Sequence, residues 1–337
     1  MLNIRNIKLL SSIIILFISL NSMGQTNNTQ QNDSIELYDI QWIGQFPVVD
    51  THAKINKKGW LTRFLFGEKN SPEITKPIAI IATNTNDFSI LDQGSGMLFE
   101  ITNNEKKLAK AFKKSGINFP SLVGYCKTPS GEFLITDSRL NAIYKYTKEE
   151  KRLDILNSNL TLQQPTGIAY STVSNEIWVV ETAAHKISIL NEKGEVIKTI
   201  GKRGDASGEF NFPTSIWIDK IGNAYVIDAL NFRVQVFNKN GDVISIFGEA
   251  GNATGYFARP KGIATDSKGS IYITDALYNT VQVFDISGNY LYQFGEQGRN
   301  KAQFWMPAGI YIDDNDFIYV ADMYNARIQL FQRIKKN

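Results

Sequence analysis

The 337 residues carry 36 Lys and Arg against 33 Asp and Glu, a formal charge of +3, and 43% of them are hydrophobic, with 20 Phe and 14 Tyr. So much apolar and aromatic content, spread along the chain, excludes intrinsic disorder, and the near balance of charge leaves no global case for nucleic-acid or membrane-surface binding. The length is within reach of one continuous all-β architecture and does not demand two domains.

The first apolar run, Leu9 to Leu20, follows Arg5 and Lys8 and precedes Ser22, Met23 and Gly24. It is shorter than the roughly 20 residues of a spanning helix and reads as a secretory signal peptide over 1–24, cleaved near Gly24. Export to a periplasmic or extracellular location follows, with a membrane association only if the segment stays uncleaved. Its removal lowers the formal charge from +3 to +1. No Cys follows the run, so a lipoprotein anchor has no attachment point. The polar stretch 25–34 (ending TNNTQQNDS) reads as a flexible leader. The single thiol, Cys126, excludes an intramolecular disulfide and, lying in an apolar strand, reads as buried and inert.

From residue 35 to 337 the chain repeats itself. PTGIAY at Pro165, PTSIWID at Pro213, PKGIATD at Pro260 and PAGIYID at Pro307 align, and the frame extends back to Pro120 and Pro77. The spacings are 43, 45, 48, 47 and 47 residues, and Asp92, Asp137, Glu181, Asp228, Asp275 and Asp322 keep nearly the same step. Each unit holds four short apolar stretches, such as Ile216 to Ile218, Ala224 to Ile227, Val234 to Phe237 and Val243 to Phe247, separated by turns with Gly131, Gly222 and Gly269 or Gly194, Gly241 and Gly288. Four antiparallel strands in 40 to 50 residues cannot cover both faces alone; stacking about an axis does, which makes six blades of a propeller. Tyr225, Tyr272 and Tyr319, with Phe237, Phe284 and Phe331, read as packing between blades.

The sixth unit stops after its third strand, near Ile328 to Phe331, ahead of a basic tail. Its fourth strand is expected from Ile35 to Gly44 (IELYDIQWIG), which resembles the outer strands ending at Gly201, Gly248 and Gly295. The competing donor, Gly59 to Gly67, spaces Trp60, Leu61, Phe64 and Leu65 as a short helix would.

A unit reading P-x-G-I-A, I-Y-V-x-D, N-x-R-V-Q-V-F and a strand ending F-G resembles the NHL repeat, over residues 77 to 334. IDALNFRVQVF (Ile227 to Phe237), TDALYNTVQVF (Thr274 to Phe284) and ADMYNARIQLF (Ala321 to Phe331) carry the resemblance best. It implies an all-β, six-bladed propeller of the secreted bacterial kind; similar proteins include binding domains and a few lyases and hydrolases, so fold is better supported than function. In such propellers the loop into the first strand and the loop between the second and third open on one face, beside a central channel.

The loops leading into units four to six, GKRGDASGEFNFP, GEAGNATGYFARP and GEQGRNKAQFWMP, are long and glycine-rich. Phe210, Phe257 and Phe304, each three before the proline, read as plugs, because a position repeated from blade to blade answers the blade's own packing. The repeated acidic residue reads likewise: it accepts N–H groups of the next turn or pairs with Arg233 and Arg327. Non-repeating residues on that face are the candidates for ligand contact: Arg139, His185, Arg203, Tyr256, Arg259, Tyr278, Asn279, Arg299, Lys301, Trp305, Tyr324 and Asn325. With Lys202 and Lys261 they outnumber Asp205, Glu209, Glu249 and Glu296, a slightly basic surface suited to an anionic glycan, a peptide or a ligand carboxylate.

Catalytic sets are thin. Resemblance to the amidating lyases would require several zinc-binding histidines, and the chain has only His52 and His185; the same scarcity leaves Ser-His-Asp and Cys-His chemistry without a base. Resemblance to gluconolactonase-type propellers implies calcium held by a set drawn from Glu181, Asp228, Asn231, Asp275, Asn279 and Asn325. The reading is therefore an exported, non-catalytic scaffold holding a protein, peptide or glycan, with no nucleic acid and no cofactor expected. The alternative is a metal-dependent lyase or hydrolase with a divalent cation such as calcium in the channel.

Overall fold

A computed structural model describes residues 38–47 and 73–335, apart from 104, 110, 111 and 113. The expectations for 1–24, 25–34 and Gly59 to Gly67 lie outside the described residues, as does His52. Six four-stranded antiparallel sheets are present, one per repeat. Their first strands are Pro77–Asn84, Leu122–Lys127, Pro165–Ser171, Pro213–Ile218, Pro260–Thr265 and Pro307–Ile312. No helix among the described residues is long and apolar enough to cross a membrane. Among the described residues, short helical turns join strands two and three at Thr182–Ala184, Ala229–Asn231 and Met323–Asn325.

The core is divided. Six clusters of buried apolar side chains lie between neighbouring blades, one per interface, including blade six against blade one through Tyr319, Ala321, Ile328 and Leu330 packed with Ile80, Ile90 and Phe99. A sheet hydrophobic on both faces can satisfy itself only this way, so the apolar runs of the second strands are explained by stacking on two sides. Tyr225, Tyr272 and Tyr319 are buried there and donate their hydroxyls to Asp219, Asp266 and Asp313 at the first hairpin, at 3.0, 3.1 and 2.9 Å. Phe237, Phe284 and Phe331 are buried as expected.

The glycine of P-x-G marks where neighbouring first strands approach. A Cβ built on Gly309 would lie 2.3 Å from the Ile78 carbonyl oxygen, and one on Gly167 2.8 Å from the backbone of Ser215 and Ile216. Hydroxyls complete the seam: Thr274 Oγ1 accepts the Gly262 N–H at 2.8 Å and donates to the Ala308 carbonyl, and Thr136 does the same between Gly124 and Thr166.

Strand Tyr38–Phe46 pairs antiparallel with Arg327–Lys335, closing the ring with the expected donor. Two details differ from the sequence reading. The basic tail is part of the third strand, which runs on to Lys335 because the N-terminal strand pairs along all of it. In blade two the position of the aligned prolines is taken by Leu122, which pairs with Asp137 as Pro77 pairs with Asp92; Pro120 lies two residues earlier.

Candidate binding site at the channel mouth

The first strands enclose a central channel with a cavity of about 610 Å³. Its mouth is built from the residue before each first strand, the second residue of that strand and the one or two residues after each acidic position. Those that line it there are Lys76, Gln93, Ser138, Gln164, Arg259, Lys261, Ala276, Met306, Met323 and Tyr324. At the far end Trp217 and Tyr311 stand 5.9 Å apart, edge to face, with the Trp217 indole donating to Thr265 Oγ1 at 2.9 Å, so aromatic rings narrow the passage.

The six acidic residues are almost wholly buried and hold the lead-in loops. Asp228 accepts from Asn211 N, Asn231 Nδ2, Arg233 Nε and Gln235 Nε2; Asp322 accepts from Trp305 N, Asn325 Nδ2, Arg327 Nε and Gln329 Nε2. The two arginines then donate to loop carbonyls, Arg233 to residues 205, 206 and 209 and Arg327 to 299, 300 and 303. The N-x-R-V-Q motif is thereby a clamp for the loop that approaches its own blade. Its carboxylates are committed to the frame, and the loop in turn is rigid. Phe210, Phe257 and Phe304 are fully buried beneath the same loops, plugs as expected.

Of the sequence candidates, Arg259 and Tyr324 line the channel. Three others brace the frame. His185 Nδ1 accepts the Phe212 N–H at 3.1 Å, Asn279 Oδ1 accepts the Met306 N–H at 2.8 Å, and both sit at the left-handed residue closing the turn between strands two and three. Asn325 donates to the Gly298 carbonyl and to Asp322. Tyr278 donates to the Gly251 carbonyl, and Tyr256 bonds to Glu249, which raises its phenol pKa. Arg139 and Arg203 are exposed on the rim. Arg299 lies over the Trp305 ring at 4.9 Å, and Trp305 faces Tyr324 at 5.9 Å. Lys301 covers Trp42 on the outermost strand at 4.7 Å, at the outer side of blade six. The face therefore brings together Arg299, Trp305 and Tyr324 at one edge of the mouth and leaves the rest distributed.

Sequence reasoning passed over Lys76, Gln93, Ser138 and Gln164 and counted Lys261 only as part of a basic rim. The signal for Lys261 was available: the residue after the first-strand start is Ile78, Val123, Thr166, Thr214 and Ala308 in the other blades. Lys261 is half-buried, and burial first, then the neighbouring Arg259, holds its ammonium below the usual lysine range. None of Glu181, Asp228, Asn231, Asp275, Asn279 and Asn325 lines the channel. Among the described residues no three His, Cys, Asp or Glu side chains are grouped to hold a metal ion. Cys126 is half-exposed towards the channel, yet burial of its thiol pushes the pKa well up.

Residues 157–231 match a family described as "6-bladed beta-propeller", and residues 304–331 match the NHL repeat. No curated protein matches the chain. Similar solved structures include an auxiliary nutrient binding protein from Bacteroides thetaiotaomicron VPI-5482 (13% identity, 77% of this chain and 70% of that one, TM-score 0.62). Another auxiliary nutrient binding protein, from Bacteroides ovatus ATCC 8483, shares 12% identity over 89% of this chain and 78% of that one, with a TM-score of 0.61. Virginiamycin B lyase from Staphylococcus aureus shares 14% over 88% and 99%, with a TM-score of 0.57. At these identities the likeness is one of fold: the chain is a six-bladed β-propeller carrying an NHL repeat.

Proposed function

We propose that this propeller is an exported, non-catalytic binding scaffold that holds its ligand at the channel mouth. One observation carries the reading. The channel is a cavity of ligand size whose polar lining at the mouth departs from the repeat, while the repeated polar residues are committed to holding loops. Auxiliary nutrient binding proteins among the structures of this fold support a binding role, and the apolar segment before residue 25 supports export. Arg259 and Tyr324 would contact the ligand directly, with Arg299 and Trp305 beside them and Arg139, Arg203, Tyr256, Tyr278 and Lys301 further out. His185, Asn279 and Asn325 would act by keeping the mouth in shape.

The test is a thermal-shift screen of peptides and neutral and acidic oligosaccharides on the full chain and on Tyr324→Ala. Stabilisation of the parent that the variant loses supports the reading. A hit retained by Tyr324→Ala and by Arg259→Gln removes the mouth as the binding face. Elemental analysis, with unfolding measured in EDTA, separates this scaffold from a metal-dependent lyase or hydrolase, which would carry a divalent ion and lose stability on chelation.

A further inference from the structure

Among the described residues, the charged side chains that line the channel are Lys76, Lys127, Arg259 and Lys261, with no Asp or Glu beside them. That is an unusual balance in a chain of nearly equal charges, and its cause is the commitment of the six repeated carboxylates to the loops. Three of the four cations stand at the mouth, on two blades that flank blade six. Lys76 ends the loop into blade one, and its Nζ lies 5.8 Å from the Tyr324 ring; Arg259 and Lys261 border Pro260 on blade five. No ion pair joins Arg259 or Lys261 to a carboxylate among the described residues. Two cations side by side, one of them half-buried, repel each other and lose hydration, a cost that an anion between them would relieve.

The remainder of the mouth narrows the kind of anion. Tyr324, half-exposed on blade six, offers its ring beside the Lys76 ammonium, and Met306 and Met323 also line the channel. Gln93, Ser138 and Gln164 continue the lining around blades one to three and supply hydrogen-bonding groups. Gln93 is oriented by donating to the Leu122 carbonyl at 2.9 Å, and Ser138 by its bond to Ser121 at 2.7 Å. A charged corner, an aromatic ring and several neutral polar groups at the mouth of a cavity of about 610 Å³ match a compact ring bearing a carboxylate and several hydroxyls. An inorganic anion would use the corner alone.

We propose that the channel mouth is an anion site for a polyhydroxylated carboxylate of the uronic-acid class, its carboxylate between Lys261 and Arg259 and its ring against Tyr324. The proposal rests on the scaffold reading and deepens it. The experiment is calorimetric titration of the full chain with D-glucuronate, D-glucose and inorganic phosphate, repeated on Lys261→Met, Arg259→Gln and, as a control whose exposed ammonium pairs with Asp314 and does not line the channel, Lys220→Gln.

Glucuronate is expected to bind at least tenfold more tightly than glucose, to weaken with added salt, to lose tenfold or more in Lys261→Met and Arg259→Gln, and to be unchanged in Lys220→Gln. Equal affinity for glucose and glucuronate, or Lys261→Met binding as the parent does, overturns the anion site. If Tyr324→Ala still abolishes binding of a neutral ligand in that case, the scaffold stands and only the charge assignment falls. Phosphate binding as tightly as glucuronate, or no glucuronate binding up to about 10 mM, overturns the hydroxylated-carboxylate class. Unchanged melting temperatures in the variants exclude misfolding as the cause of a loss.

Discussion

The indole Nε1 of Trp42 donates to Oε1 of Gln329 at 3.0 Å, a bond between residues 287 apart in the chain. Gln329 is fully buried and has every amide position engaged: its oxygen also accepts the Ala302 N–H, and its nitrogen donates to the Gln303 carbonyl and to Asp322. The N-terminal strand is thus tied to the clamp that holds the loop into blade six. Trp42→Phe keeps the ring packing and removes the donor, so it should cost about 1–2 kcal/mol, or about 2–6 °C in melting temperature. Deleting residues 38–46 should do far more, because it bares the edge of strand Arg327–Lys335 for self-association. Calorimetry and light scattering check both; a deletion that melts as the parent does would mean that the ring closes without this strand.

The Arg327–Asp322 pair, at 2.7 Å and nearly inaccessible, predicts a second asymmetry. Arg327→Met should cost about 3–5 kcal/mol in urea unfolding, since it strips a buried carboxylate and three loop carbonyls of their donor. Arg327→Met with Asp322→Asn should recover part of that loss. Lys220→Met, which breaks an exposed pair with Asp314, should change nothing measurable. Equal effects from the buried and exposed pairs would show that the loop clamp contributes no stability.

The fold was legible because its signals are periodic: prolines, acidic residues and aromatic strands recur at one step, and a face buried on both sides leaves no other arrangement. The donor strand was legible from Trp42 and its neighbours resembling the strands that end in Gly. Pro120 misled by two residues because the proline is a marker of the strand start and not its cause; pairing with Asp137 sets the register, and Leu122 occupies it. The site was harder to read. His185 and Asn279 look functional in one sequence because they deviate from the repeat, yet both fill the same bracing position with different acceptors. Lys261 deviates equally, but at a position that faces the channel, which only alignment by strand register separates from a rim position.

The close approach at Gly309 carries a third prediction. Gly309→Ala places a methyl against the backbone of Ile78 and Ala79 and should destabilise by about 1–3 kcal/mol as blades six and one are forced apart. Ala79 and Ser215 hold the same register position in blades one and four, so those interfaces already contain a Cβ. Ala79→Gly should therefore cost only about 0.5–1 kcal/mol, from the added freedom of the unfolded chain. Measuring both by urea unfolding decides the point: an innocuous Gly309→Ala would mean that the spacing between blades adapts freely.

Lys261 gives the pH dependence its sign. Its ammonium is held below the ordinary lysine range by burial and by Arg259, so the folded-state pKa lies below the unfolded value of about 10.4. Well below both values the residue is charged in either state and the penalty of its position is constant. Between them the unfolded chain binds more protons, so stability rises with pH through that window. Lys261→Met removes the penalty and should be at least as stable as the parent at pH 7, with the difference shrinking as the parent gains stability towards pH 10. Arg259 stays charged throughout, and Lys76 is present in both proteins, so each drops out of the difference. Urea unfolding of the two proteins at pH 7, 8.5 and 10 reads this directly. A Lys261→Met variant less stable than the parent at pH 7, by a margin constant across the range, would show that the ammonium is a structural partner within the blade and not a charge held in reserve at the channel mouth.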